Sequence, residues 1–237
     1  MKEKKRRSNE DIEKNITDAA ISLIKKKGIS GLLVTDIIKD AKIEPVVFYK
    51  RYENLLDFIN HFVKKYDYWF SDVIQKSKAS ECDEKLYNNI MANLLRSLKS
   101  NIVMQQILKW ELATDNDIAR RTAQLREFHT LPIAKEYEKK FEQSSIDIVA
   151  ISSLIVGGIY YLVLHSHLST FSGIDINSEN GEKRIFNALS YLIELLFEEK
   201  SENTKIINIA IKMKKNNIDI ETISSCTELP IDIIKIL

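Results

Sequence analysis

An all-α fold follows from two features of this 237-residue chain. Six Gly and three Pro leave few places where a helix must stop, and apolar residues recur at three- and four-residue spacing through much of the sequence. A third feature, the distribution of charge, divides the chain. The net charge is only +1, yet residues 1–51 hold 13 Lys/Arg against 8 Asp/Glu, and residues 52–237 hold 22 against 26. A basic first fifth on a mildly acidic remainder is either a surface for a polyanion or a solvated basic tail. Apolar content of 44% and charged content of 29% are ordinary for a soluble globular protein.

Asn9 is placed to cap a first helix, with Glu10, Asp11 and Glu13 near the positive end of its dipole. Ile12, Ile16, Ala19, Ala20, Leu23 and Ile24 give it one apolar face, and Gly28 after three lysines is placed to end it in a left-handed conformation. Thr35 is the next cap, for a helix of barely two turns with Ile37, Ile38 and Ala41 inward. Pro45 suits the first position of a short third helix, "PVVFYKRY", where its missing N–H would be unpaired in any case. Phe48 and Tyr52 then share a core face. Asn54 caps a long fourth helix whose apolar stripe runs from Leu55 to Val73 over five turns.

Two short helices joined by a tight turn and preceded by a longer one make a helix-turn-helix unit. Residues 10–58 resemble the DNA-binding domain of the TetR family of bacterial transcriptional regulators, with Ala20, Gly28, Thr35, Ala41, Tyr49 and Tyr52 at the pattern positions. The chain departs from that pattern at Lys42, where a turn glycine is usual, at the start of the recognition helix, and at Leu55, where a lysine is common. The resemblance implies a DNA-binding domain over 1–54 with a basic arm over 1–8, and a larger ligand-binding and dimerisation domain over 55–200. Residues 205–237 are expected to form a small C-terminal helical extension.

Phosphates supply most of the affinity in such a domain and base edges the selectivity. Thr35 and Asn54 stand at helix starts that favour an anion. Tyr49 can donate its hydroxyl to a phosphate, and Lys50 or Arg51 can pair with guanine. Val46 and Val47 offer contact to thymine methyls, Pro45 sets the helix start, and Glu44 can only accept, from a cytosine amine. Arg6 and Arg7 of "KEKKRR" can follow a minor groove or the phosphates. Each has a plainer reading: caps for Thr35 and Asn54, a surface aromatic for Tyr49, a solvated face for Lys50 and Arg51, an idle tail for Arg6 and Arg7.

Beyond residue 75 further helices are expected over "DEKLYNNIMANLLRSLKSN", "NIVMQQILKWEL" and "NDIARRTAQLREFHTLPIAKEYEKKFEQ", the last interrupted or ended near Pro132. Ile148 to Leu164 carries no charge over 17 residues, at the lower edge of a membrane span, but its serines and tyrosines and the lack of basic flanks favour a buried helix. The resemblance implies a homodimer through 146–168 and 181–199. Gly157 and Gly158 suggest a close helix contact there. It also implies an effector pocket among the middle helices, for which the polar residues inside apolar patterns are candidates: Trp110, Arg120, Arg126, His129, Tyr160, Tyr161 and His165.

After "SENT" the tail again reads helix, short helix, turn, short helix, with Asp219 and Pro230 as starts. It is similar to the C-terminal segment of Rpn-type transposase/nuclease proteins, with Glu228 where a turn glycine is usual. No nuclease core is recognisable elsewhere. There is no ordered nucleophile–base pair, Gly-rich phosphate loop or metal spacing, so neither an enzyme nor a metal or other cofactor is expected. Two cysteines, Cys82 and Cys226, are no disulfide framework, and the first 15 residues lack the apolar core of a secretory signal. A cytoplasmic protein is expected. The expected function is a ligand-responsive regulator, a repressor in type, reading a palindromic double-stranded operator as a homodimer, with no membrane partner. A helical adaptor that keeps the fold without binding DNA is the alternative.

Overall fold

The computed structural model describes residues 8–77 and 83–237. Arg6, Arg7 and Cys82 lie outside them. Among the described residues there are helices and no strands, apart from one isolated bridge between Phe171 and Ile174.

The first helix, α1 (Asn9–Lys27), is capped one residue earlier than expected. Ser8 accepts from the Asp11 N–H while the Asp11 carboxylate accepts from the Ser8 N–H, a reciprocal capping box. Gly28 ends α1 with φ +74° but ψ 173°, an extended conformation open to glycine alone rather than the left-handed helical one. A β-carbon there would stand 3.1 Å from the Gln106 side chain, so Gly28 also lets a later helix approach.

Helix α2 (Val34–Ala41) has Leu33 at its cap position, with no side-chain cap bond, so Thr35 lies inside its first turn rather than capping it. The turn to α3 (Pro45–Tyr49) places Lys42 in the left-handed region, φ 53° and ψ 50°. The backbone therefore keeps the geometry that glycine usually provides, with lysine carrying it. Pro45 opens α3 as expected, although the helix ends at Tyr49. Phe48 is fully buried, with its ring 5.1 Å from Tyr52 and 5.8 Å from Phe58, and Ile16, Ala20, Ile24 and Ile37 complete this small core.

The long helix expected from Asn54 is broken. Asn54 does cap α4 (Leu55–Val63), accepting from the Asp57 N–H at 2.9 Å. A 3₁₀ turn, Lys64–Tyr66, then separates it from α5 (Trp69–Ser77). Asp67 lies in this break, buried, and pairs with Arg121 at 3.4 Å. A tertiary contact thus interrupts a stripe that is apolar throughout.

The body consists of α6 (Asp83–Ser100), α7 (Ile102–Ala113), α8 (Asp117–Phe141), α9 (Ile148–His165) and the first half of α10 (Glu179–Lys215). Helix α6 lies centrally, against α5, α7, α9 and α10, and α1 packs on α7. Helix α8 runs through Pro132 without ending, which corrects the expected interruption. Pro132 sits on a solvent-facing turn beside exposed Phe128 and Leu131, where a lost backbone hydrogen bond can be made up by water. Helix α9 is not the buried helix its composition suggests. It buries Ile148, Ile159, Val163 and Leu164 but leaves Ala150, Ser153, Leu154, Gly157, Gly158 and Tyr161 exposed along one stripe. By length and composition α9 is apolar enough to cross a membrane.

Helix α10 is continuous through Ser201–Thr204, where the sequence suggested a break. At 37 residues it is about 55 Å long. Its last turns, with α11 (Ile220–Thr227) and α12 (Ile231–Ile236), form a separate small core of Ala210, Ile223 and Ile234. Asp219 caps α11 as expected, and Glu228 takes the left-handed turn position, φ 60°.

Candidate nucleic-acid interface and regulatory cavity

Helices α1 to α4 form the head, which presents one polar and apolar face built around α3. Because Phe48 and Tyr52 point into the core, a five-residue helix leaves its other side outward. Glu44, Pro45, Val46, Tyr49 and Lys50 are exposed, and Val47 is half-buried. Thr35, on the first turn of α2, and Asn54 are also exposed. Tyr49 is held by an edge-on contact with Phe48, ring centroids 5.6 Å apart, which directs its ring while 55% of the residue stays open.

Arg51 is the exception. It is half-buried, and its guanidinium donates to the Val47 carbonyl and to Asn9 Oδ1, both at 2.9 Å. It ties the end of α3 to the start of α1, a positioning contact rather than a displayed charge. Asn9, expected as a cap, is the other half of that tie. Lys27 and Asp36 pair across α1 and α2, and Lys65 reaches Thr17 at 3.1 Å, fixing α1 to the turn after α4. The short helices of the head are therefore held by side-chain ties from several directions. Leu33 and Leu56, exposed by 56% and 49%, flank the same head and were not singled out from sequence.

A half-open cavity of about 630 Å³ lies among α5, α6, α7, α8 and α9. That volume suits a drug-sized molecule. Its wall is mainly apolar, with Phe70, Ile74, Ile90, Met91, Leu108 and Val156 among its lining residues. Of the residues expected to contact an effector, Arg120, Arg126 and Tyr160 line it. Trp110, His129, Tyr161 and His165 do not. Trp110 is buried in the core beside the cavity, His129 stacks on Tyr68 with centroids 4.3 Å apart, and Tyr161 stacks on His165 at 5.1 Å on the outer side of α9. Arg120 is exposed at the rim and held by Asp115 and Asp117, while Arg126 is buried and paired with Glu111.

Glu111 and Asp67 are the residues that sequence reading passed over. Glu111 stands three residues after Leu108 and four after Ile107, both buried, so it is a charge on the inward face of α7. Asp67 holds the same kind of position, four residues after Val63 and three before Phe70. Burial pushes both carboxyls above the usual range, against the opposing pull of Arg126 on Glu111 and of Arg121 on Asp67. Burial likewise raises the Tyr160 hydroxyl to about 12, so it stays protonated. Tyr87 and Ser152 share a hydrogen bond of 2.6 Å across the cavity wall. Among the described residues no three His, Cys, Asp or Glu side chains come together in a way that would hold a metal ion.

The architecture is shared with solved structures. A TetR-family transcriptional regulator from Streptomyces coelicolor superposes with a TM-score of 0.61 at 12% identity, covering 78% of this chain and 95% of that one. A transcriptional regulator of the TerR/AcrR family from Aquifex aeolicus gives 0.56 at 19% identity, covering 78% and 99%. A putative TetR-family regulator from Vibrio parahaemolyticus gives 0.54 at 14%, covering 76% and 96%. No protein-family model matches the sequence, and no curated protein matches it. The likeness is one of fold: the all-α arrangement of TetR-family regulators.

Proposed function

We propose that the protein is a DNA-binding transcriptional regulator that acts as a homodimer and responds to a small molecule held in the body cavity. The observation that carries this reading is the head. A three-helix unit with its aromatic anchors buried turns Pro45, Val46, Tyr49 and Lys50 outward from one short helix, with Thr35 and Asn54 at neighbouring helix starts. That combination of apolar, hydroxyl and cationic groups suits thymine methyls, phosphates and guanine edges. The fold shared with TetR-family regulators supports it.

The dimer rests on the uncovered stripe of α9 and on Ala188, Tyr191, Leu192 and Leu195, which are exposed on α10. Gly157 borders the cavity, and a β-carbon added at Gly158 meets nothing within 4 Å, so any close helix contact that Gly158 serves lies outside the single chain. Covering this face with a second copy would account for an apolar surface that a lone soluble chain rarely exposes. A two-fold protein would then read a palindrome with half-sites about one turn apart. Purification as a dimer without detergent supports a cytoplasmic protein; a requirement for detergent would assign α9 to a membrane instead.

A second reading is favoured by Arg51 and Leu55. One recognition-helix cation is engaged within the head, and the position where the family pattern often has a phosphate-contacting lysine is apolar. A helical adaptor without operator binding follows if the remaining contacts are too few. Selection of bound fragments from a random DNA library separates the two. An enriched palindrome lost on Lys50→Ala supports the regulator; no enrichment from folded dimer supports the adaptor.

A further inference from the structure

Two ion pairs lie between the cavity and the break that joins head to body. Arg126 of α8 pairs with Glu111 of α7, and Arg121 of α8 pairs with Asp67 in the break. Both pairs are only half satisfied. Glu111 Oε1, Arg126 Nη1, Asp67 Oδ1 and Arg121 Nε are buried and have no hydrogen-bond partner in the protein, and neither has Nδ1 of the adjoining His129. Buried polar groups are nearly always partnered, so a concentration of unmade bonds beside a cavity marks a place that a further group completes.

The charges decide which kind of group. Arginine holds its proton at any accessible pH, whereas the Glu111 carboxylate can take one up. The cluster can therefore absorb added negative charge by protonation, but neither of its arginines can shed a proton to absorb added positive charge. A carboxylate also matches the guanidinium fork in two parallel bonds, which Glu111 fills with one oxygen only.

We infer that the cavity takes an apolar molecule bearing a carboxylate, which replaces Glu111 on Arg126 while the displaced Glu111 side chain takes up a proton. This rests on the effector reading of the cavity. The apolar wall holds the body of the ligand, and the acid reaches the Arg126 guanidinium at the α7–α8 side. No covalent bond changes; one proton moves from solvent to the carboxylate pair. The groups that face Glu111 are Arg126 on α8, Asp67 in the break and Tyr160 on α9, with Glu127 of α8 facing Tyr160. Asp67 opposes ionisation of Glu111, and Tyr160 stays neutral, so neither prevents the uptake. Asp67 shares this field, so occupation of Arg126 is felt at the joint between head and body.

The test uses three probes of equal chain length: decanoate, decanamide and decyltrimethylammonium, each titrated into the full-length protein by calorimetry at pH 6 and pH 8. Decanoate is expected to bind at least about tenfold more tightly than the other two, and to weaken with rising pH, by at most about tenfold per unit, wherever Glu111 is ionised in the free protein and protonated in the complex. Arg126→Gln with Glu111→Gln, a neutral pair that leaves no buried charge alone, is expected to bind decanoate and decanamide equally. Equal binding of all three by the native protein, or preference for the cation, overturns this inference and leaves the effector cavity standing. Absence of binding by every probe overturns both. Decanoate preference that survives in the double variant also overturns the assignment to Arg126.

Discussion

Arg51 and Lys50 are adjacent cations with opposite duties, and the difference comes from one helical turn. Arg51 folds back onto Val47 and Asn9, while Lys50 remains exposed. Arg51→Ala is expected to lower the unfolding free energy by about 1–2 kcal/mol, the scale of hydrogen bonds to a charged group with some discount for solvent. Lys50→Ala is expected to leave the thermal midpoint unchanged and to lower the salt dependence of DNA binding by about one unit of slope. Thermal melts and salt titrations of both variants check the division. Two backbone positions carry similar predictions. Lys42 occupies a left-handed turn that glycine adopts without penalty, so Lys42→Gly is expected to stabilise the head by about 0.5–1 kcal/mol in denaturant unfolding. Gly181 lies against the Asp175 carbonyl, far inside contact distance for a β-carbon, so Gly181→Ala is expected to destabilise by about 2–3 kcal/mol.

At the scale of helices, local chemistry was legible where a single residue decides the outcome. Pro45, Asn54 and Asp219 start helices where their chemistry says they should. The departures have one local and one tertiary side. Asn9 gives way to Ser8 because Ser8 can exchange two bonds with Asp11, three residues on, and the stripe after Asn54 breaks where buried Asp67 pairs with Arg121 of α8. Of the cavity, Arg120, Arg126 and Tyr160 were visible as polar residues within apolar patterns. Glu111 was hidden in an ordinary-looking "KWEL", although its position on the inward face of α7 was there to be counted. The tail shows what an element owes to its neighbours. Its core is Ala210, Ile223 and Ile234, so Ile223→Ala, which commonly costs about 2–4 kcal/mol, is expected to exceed what α11 and α12 can sustain. Hydrogen exchange should then show protection lost in 217–237 and retained in α6 and α9.

For the whole molecule, the proposed function assigns a duty to each of three surfaces: DNA reading to the head, a signal to the cavity, and a second copy to the outer face of α9. Helix α1 of the head packs on α7, which carries Glu111, and Asp67 lies where α4 gives way to α5. A ligand that binds two arrangements of this joint unequally would shift the separation of two heads in a dimer. Leu154 is 77% exposed at the centre of the α9 stripe, so Leu154→Arg is expected to yield monomer in sedimentation while the helical signal is kept.

The central claim, that the exposed face of α3 reads DNA, is tested most directly by selection from a random double-stranded library at physiological salt, with the Lys50→Ala and Tyr49→Phe variants in parallel. The account predicts a recovered palindrome with two half-sites about one helical turn apart, bound more weakly by both variants. Recovery of no sequence above background by folded, dimeric protein would contradict it.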